Sequence, residues 1–134
     1  MDMMEMVKPV APTVAAIGED LEPYRAAVAA THIVRPNAEP AALLLALLSR
    51  RAAAGERAPT NAFIQTEMSR AHSLTSAMAE AGLIRVELYG QNFRRIWICA
   101  GPQTGLATAP PPRPGEPYFV QGPDRPTHVE ELRR

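Results

Sequence analysis

Six hydrogen-bonding side chains fall within the eight residues from Ser69 to Ser76: Ser69, Arg70, His72, Ser73, Thr75 and Ser76. Groups of this type recognise rather than react. Arginine offers a planar fork of donors that matches a phosphate or a guanine edge, and short hydroxyls reach phosphate oxygens or base edges. Arg70 is the best placed for guanine, and Ser73 and Ser76 for phosphate or base. A second polar set, Arg85, Gln91, Asn92, Arg94 and Arg95, follows within a few residues. Thr60 and Asn61 lie where a helix begins, a favoured seat for phosphate oxygens. Covalent chemistry has no comparable support. The three histidines, His32, His72 and His128, are scattered, and no Ser/His/Asp or Cys/His set follows from spacing. Gly101 and Gly105 lie in a Pro-containing stretch with no Lys, unlike a phosphate-binding loop. The single Cys99 allows no disulfide within the chain and no Cys-based zinc site. It reads as an inert small hydrophobe. The expectation is a non-enzymatic protein without metal or cofactor.

Positioning these groups calls for helices and one hairpin. The chain has 134 residues, 46% of them apolar, which suits one domain of ordinary size with tails. Residues 19–31 read as one helix, with Pro23 in its first turn and Tyr24, Ala27, Val28 and Ala30 on its apolar side. The next helix starts at Asn37 as N-cap, carries Glu39 and Pro40 in its first turn, and ends at Gly55. Leu44, Leu47, Leu48 and Arg51 follow helical spacing in it, and Leu43 and Leu45 widen the stripe, so the helix should be largely buried core. Thr60 is a plausible N-cap for a shorter helix with Ile64 and Met68 one turn apart. A third begins at Ser69, places Ala71, Leu74, Met78 and Ala81 on one face, and stops at Gly82. The period then changes from helical to two. Ile84, Val86 and Leu88 alternate with Arg85 and Glu87, residues 89–92 turn, and Ile96 and Ile98 alternate with Arg95 and Trp97. Trp97 is expected to pack under the N-terminal helix. The fold class is mainly α with a small β-hairpin. Residues 1–18 form a flexible segment, 19–101 the domain, and 102–134 a Pro-rich tail that is extended or disordered.

Helix, short helix, turn, second helix, Gly-Leu-Ile and hairpin, in this order, resemble the winged helix-turn-helix. Thr60–Met68 resembles its first helix and Ser69–Ala81 its recognition helix. The run Met78-Ala79-Glu80-Ala81-Gly82-Leu83-Ile84 is similar to the junction before the wing in MarR-like regulators, and Val86–Ile98 to the wing. The resemblance covers roughly residues 37–100. The recognition helix is about one turn shorter than is usual in MarR-like regulators, and the flanking helices of the MarR dimer are missing as such. The likeness is therefore to the superfamily and not to that family. It implies a sequence-specific, double-stranded DNA-binding transcriptional regulator. Residues 69–81 would enter the major groove, and a basic wing at about 84–99 would touch the minor groove or backbone. Homodimers would form through residues 19–34. Each residue also has a plainer reading: Arg70 and Arg94 as solvated charges, His72 as a surface or capping residue.

Charge distribution agrees with a local basic face. The formal net charge is zero, yet residues 1–34 carry two basic and five acidic groups (net −3), whereas residues 35–98 carry eight Arg against five Glu (net +3). Richness in Ala, Arg and Pro suggests a GC-rich bacterial genome. Residues 1–10 lack the apolar region of a signal peptide, and the longest apolar run, Pro40–Leu48, is too short for a bilayer. A cytoplasmic, nucleoid-associated location is expected, with no membrane contact. The alternative function is a winged helix used as a protein-interaction module on the transcription machinery or another regulator. A third reading joins the two: the Pro-rich tail docks on a protein partner while the wing holds DNA. DNA is favoured if Arg70, Arg85, Arg94 and Arg95 share one surface. Protein binding is favoured if Glu67, Glu80 and Glu87 interleave with them.

Overall fold

The computed structural model describes residues 21–60, 71–90, 93–112 and 115–126. The first helix, α1, runs over Glu22–Ala29, with Pro in its first turn, where a missing N–H leaves no intrahelical bond unmade. Tyr24 and Val28, four residues apart, are buried together with Leu21. Helix α2, Ala38–Ala53, follows, with Asn37 at the N-cap position but without a side-chain capping bond. Its first-turn Glu39 is held by Arg25 of α1, which donates from Nε at 3.0 Å and from Nη2 at 2.8 Å, and also reaches Glu22 at 3.0 Å. The Arg25 guanidinium keeps the Glu39 carboxyl below the usual carboxylate range. The α1–α2 pair is thus sealed by an apolar seam with an ion pair at its rim. The apolar side of α1 packs within the chain.

Helix α3, Ala71–Glu80, ends at Gly82. That residue adopts φ +84°, the left-handed conformation that lets Leu83 N–H donate back to Met78 O at 3.0 Å. Strand β1, Ile84–Tyr89, then turns into β2, Phe93–Ile98, with Val86 opposite Ile96 and Glu87 opposite Arg95. Ile84, Val86, Ile96 and Ile98 are buried in the same apolar cluster as Leu44, Leu45, Leu47 and Leu48 of α2 and Leu74 and Met78 of α3. The expectation that Leu43–Leu48 is core therefore holds, with Leu43 partly buried at its margin.

The sheet has one strand more than the hairpin reading allows. Phe119–Gln121 forms β3 and pairs antiparallel with β1, giving the order β2-β1-β3. The described part of the Pro-rich tail is thus extended and docked on the domain. The other side of the hairpin is covered too. Residues 105–108 run along β2, where Ile98 N–H donates to Leu106 O at 2.8 Å and Thr108 N–H to Ile96 O at 2.9 Å. Buried Thr108 completes this edge by accepting from Ile96 N–H at 2.9 Å through Oγ1. Replacing it with isosteric valine strands that donor, and should cost about 1–2 kcal/mol in urea unfolding. The Ile96 amide should exchange faster as well. Unchanged stability and exchange would show that the bond contributes nothing. Among the described residues, three helices and a three-stranded antiparallel sheet make the architecture mixed α/β.

Candidate functional site

Helix α3 is anchored by Leu74, Met78 and Ala79, all buried. Thr75 follows them inward, about 100° round the helix from Leu74, and is itself buried. This removes Thr75 from the surface set expected from sequence, because the anchored side of the helix is wider than the Leu74–Met78 stripe alone. The opposite side carries exposed Ser73 and Glu80, with Ser76 and Ala77 half-buried. Ser76 Oγ lies 3.5 Å from Gln121 Oε1 of β3. Thr60 is exposed. Asn61, Ser69, Arg70, Gln91 and Asn92 lie outside the described residues, as do Glu67 and residues 61–68 of the expected helix; for His72 only the backbone, within α3, is described.

Period-two alternation puts Arg85, Glu87 and Tyr89 on the sheet face turned away from the helices, beside Arg95 and Trp97 of β2. A polar outer face ordinarily meets water, yet Glu87 is completely buried. Its carboxylate is enclosed by donors. Oε2 accepts from Arg85 Nε at 2.8 Å and Arg125 Nε at 3.0 Å. Oε1 accepts from Tyr89 OH at 2.8 Å, Trp97 Nε1 at 3.1 Å and Arg125 Nη2 at 3.4 Å. Burial pushes the Glu87 pKa up, but the bonds from Arg125 and Arg85, then Tyr89 and Trp97, outweigh it and hold the group at about 2. Burial also raises the Tyr89 pKa, and the Glu87 charge adds to it. The Trp97 ring, expected beneath the N-terminal helix, instead stands on this outer face, with Arg95 4.7 Å and Arg125 5.0 Å from its centroid. The reason is register: position 97 faces Arg85, so it lies on the side opposite the Ile96–Ile98 core.

The wing arginines therefore have tasks inside the chain. Arg85 pairs with Glu87 and donates from Nη1 to Pro123 O at 2.8 Å. Arg95 Nε donates to Thr108 O at 3.0 Å. Arg94 lies on the other face, where its Nη2 donates to Pro59 O and burial lowers its pKa. These three do not form one free basic surface, and Glu87 interleaves with two of them. The sequence reading did not single out Glu87 or Arg125 as a pair. Arg85, Glu87 and Tyr89 at spacing two hinted at half of the cluster, but Arg125 is 38 residues further on.

At the end of the sheet a cleft of about 460 Å³ is lined by Arg57, Ala58, Pro59, Thr60, Leu88, Phe93, Arg94 and Tyr118. The Arg57 guanidinium lies 5.4 Å from the Phe93 ring centroid. Cys99 is half-buried, and burial pushes its thiol up to about 11, which keeps it protonated and unreactive near neutral pH. Among the described residues no group of three or more His, Cys, Asp or Glu is placed to hold a metal, and no helix is long and apolar enough to cross a membrane. Comparison with protein-family models, curated proteins and solved structures found no match.

Proposed function

We propose that the chain is a winged-helix type of double-stranded DNA-binding regulator in which α3 and the polar residues preceding it meet the duplex. The sheet serves mainly as their rigid support. The observation that carries this reading is the shape of α3. One side is locked into the core, while the other, among the residues whose side chains are described, presents Ser73, Ser76 and Ala77 before Glu80. A helix with such short outer side chains can seat deeply in a major groove about 12 Å wide. Arg70 precedes Ser73 by three residues in sequence, the spacing of one helical face. In this reading the protein works without cofactor, in the cytoplasm on the nucleoid, as a dimer on paired half-sites.

A specific observation favours the second reading, a winged-helix protein-interaction module. Glu87 sits among the wing arginines and neutralises the surface that would grip phosphates. Pull-down of fragmented bacterial DNA with purified protein, followed by anisotropy on the recovered sequence, separates the two. Under the DNA reading, Ser73→Glu weakens specific binding by about tenfold or more, since a carboxylate then faces phosphates and base acceptors. Arg94→Ala and Arg95→Ala leave the salt slope unchanged, because both arginines are bonded within the chain. Recovery of no DNA at low salt would leave the protein-interaction reading standing.

A further inference from the structure

The two edges of the sheet are treated differently. Residues 105–108 cover the β2 edge with backbone hydrogen bonds. The β3 edge has no backbone partner among the described residues. Proteins ordinarily blunt an open edge with Lys, Pro or a bulge, because its N–H and C=O groups template further pairing. Here the open edge instead carries the most concentrated exposed apolar surface among the described residues: Tyr118 is 68% exposed, Phe119 49% and Val120 37%. Tyr118 also lines the cleft, together with Phe93 and Leu88. Among the described residues the cleft wall holds two arginines and no carboxylate, and the Arg57 side chain is exposed.

We propose that the β3 edge and the adjoining cleft are a docking site for an extended segment of another protein that carries an acidic residue. The segment adds as a fourth strand beside β3, with main-chain bonds supplying affinity. Its apolar side chains cover Tyr118 and Val120, and its carboxylate enters the cleft against Arg57. Charge selects this occupant over a second copy of the chain. Antiparallel self-pairing about Val120 would bring Glu116 of one copy towards Asp124 of the other, and both are exposed. The strand is held for this role from behind: Glu87 binds Arg125, and Arg85 binds Pro123 O, so β3 is fixed on β1 before any partner arrives. The proposal does not depend on DNA binding by α3.

The test uses the full chain, labelled with ¹⁵N, and an octapeptide library of β-branched and aromatic residues with one Glu, against the same library with Lys in its place. The Glu peptides are expected to shift the amides of Phe119, Val120 and Gln121 and to slow their exchange. They should bind about tenfold more tightly than the Lys peptides, as complementary charge at a cleft predicts. Arg57→Glu, at an exposed position that spares the core, should reverse that preference; Tyr118→Ala should weaken both libraries. The proposal is overturned if neither library shifts the β3 amides, or if Glu and Lys peptides bind equally. It is also overturned if the β3 amides shift on concentrating the protein alone, which would mean a second copy, or if only duplex DNA moves them.

Discussion

Glu87→Gln should lower the unfolding free energy by about 3 kcal/mol and abolish most of the protein's acid sensitivity between pH 5 and 2. The donors around the carboxylate set this size. Glutamine keeps the volume but puts an NH₂ where one oxygen now meets at least two donors, either Arg85 Nε with Arg125 Nε, or Tyr89 OH with Trp97 Nε1. Leaving such donors unpaired in a buried site costs roughly 1–3 kcal/mol, and more where they are charged. The same donors, by holding the carboxyl at about 2 instead of its usual 4.5, stabilise the ionised form by roughly 3 kcal/mol. The pKa is depressed by folding, so this stability is fully present above pH 4.5 and is lost as the pH falls through about 2. Urea unfolding followed across that range should show a steep slope in the native chain and a much shallower one in the variant, where the Arg25-bound Glu39 still titrates. Parallel curves would mean that other carboxylates set the acid response.

Gly122→Ala should detach β3 and cost roughly 2–4 kcal/mol, the range of a backbone clash combined with a disfavoured dihedral. Gly122 follows β3 directly, with φ +111°, and an added Cβ would stand 2.5 Å from Ile84 O and 3.0 Å from Arg85 Cα. These are backbone atoms of the central strand and cannot swing aside. The tail must lift, and with it go the Arg125 bonds to Glu87 and the Pro123 bond to Arg85. Chymotryptic cleavage at Tyr118 and Phe119 should accelerate, while amides of α2 keep most of their protection. Cleavage at the native rate would show that the backbone absorbs the methyl group and that the close approach is not essential.

The two variants act on one assembly from opposite ends. Glu87→Gln removes the acceptor that holds Arg125; Gly122→Ala removes the path that delivers it. Their combined cost should fall below the sum of the single costs, because residues that share a network are not additive.

Periodicity was enough to place the described helices and the hairpin. Leu44, Leu47 and Leu48 at helical spacing, Gly82 as a stop, and the alternation from Ile84 to Leu88 each report a local preference of the chain, and the elements α2, α3, β1 and β2 follow them. The N-terminal helix was overextended at both ends, since Pro23 sets its start and little apolar surface lies beyond Val28. The third strand was illegible. Three residues after a run of prolines carry no period, and β3 exists because Gly122 permits contact with β1. The candidate site fared unevenly for the same reason. Ser73 lies at the surface as its position on α3 suggests, but Thr75 turned inward with the wider anchored face.

By itself, then, the sequence determined which segments are helix or strand and which of their faces are apolar, because spacing of 3.6 or 2 is a property of neighbours along the chain. Only the tertiary structure decided what the polar residues do. Arg85 and Glu87 read as part of a polar wing face and Trp97 as packed under the N-terminal helix, and the three became an enclosed ionic cluster when a segment 38 residues distant laid Arg125 across them. Charge acts through space and is blind to order along the chain, so the fate of a carboxylate depends on which arginine the fold brings within 3 Å.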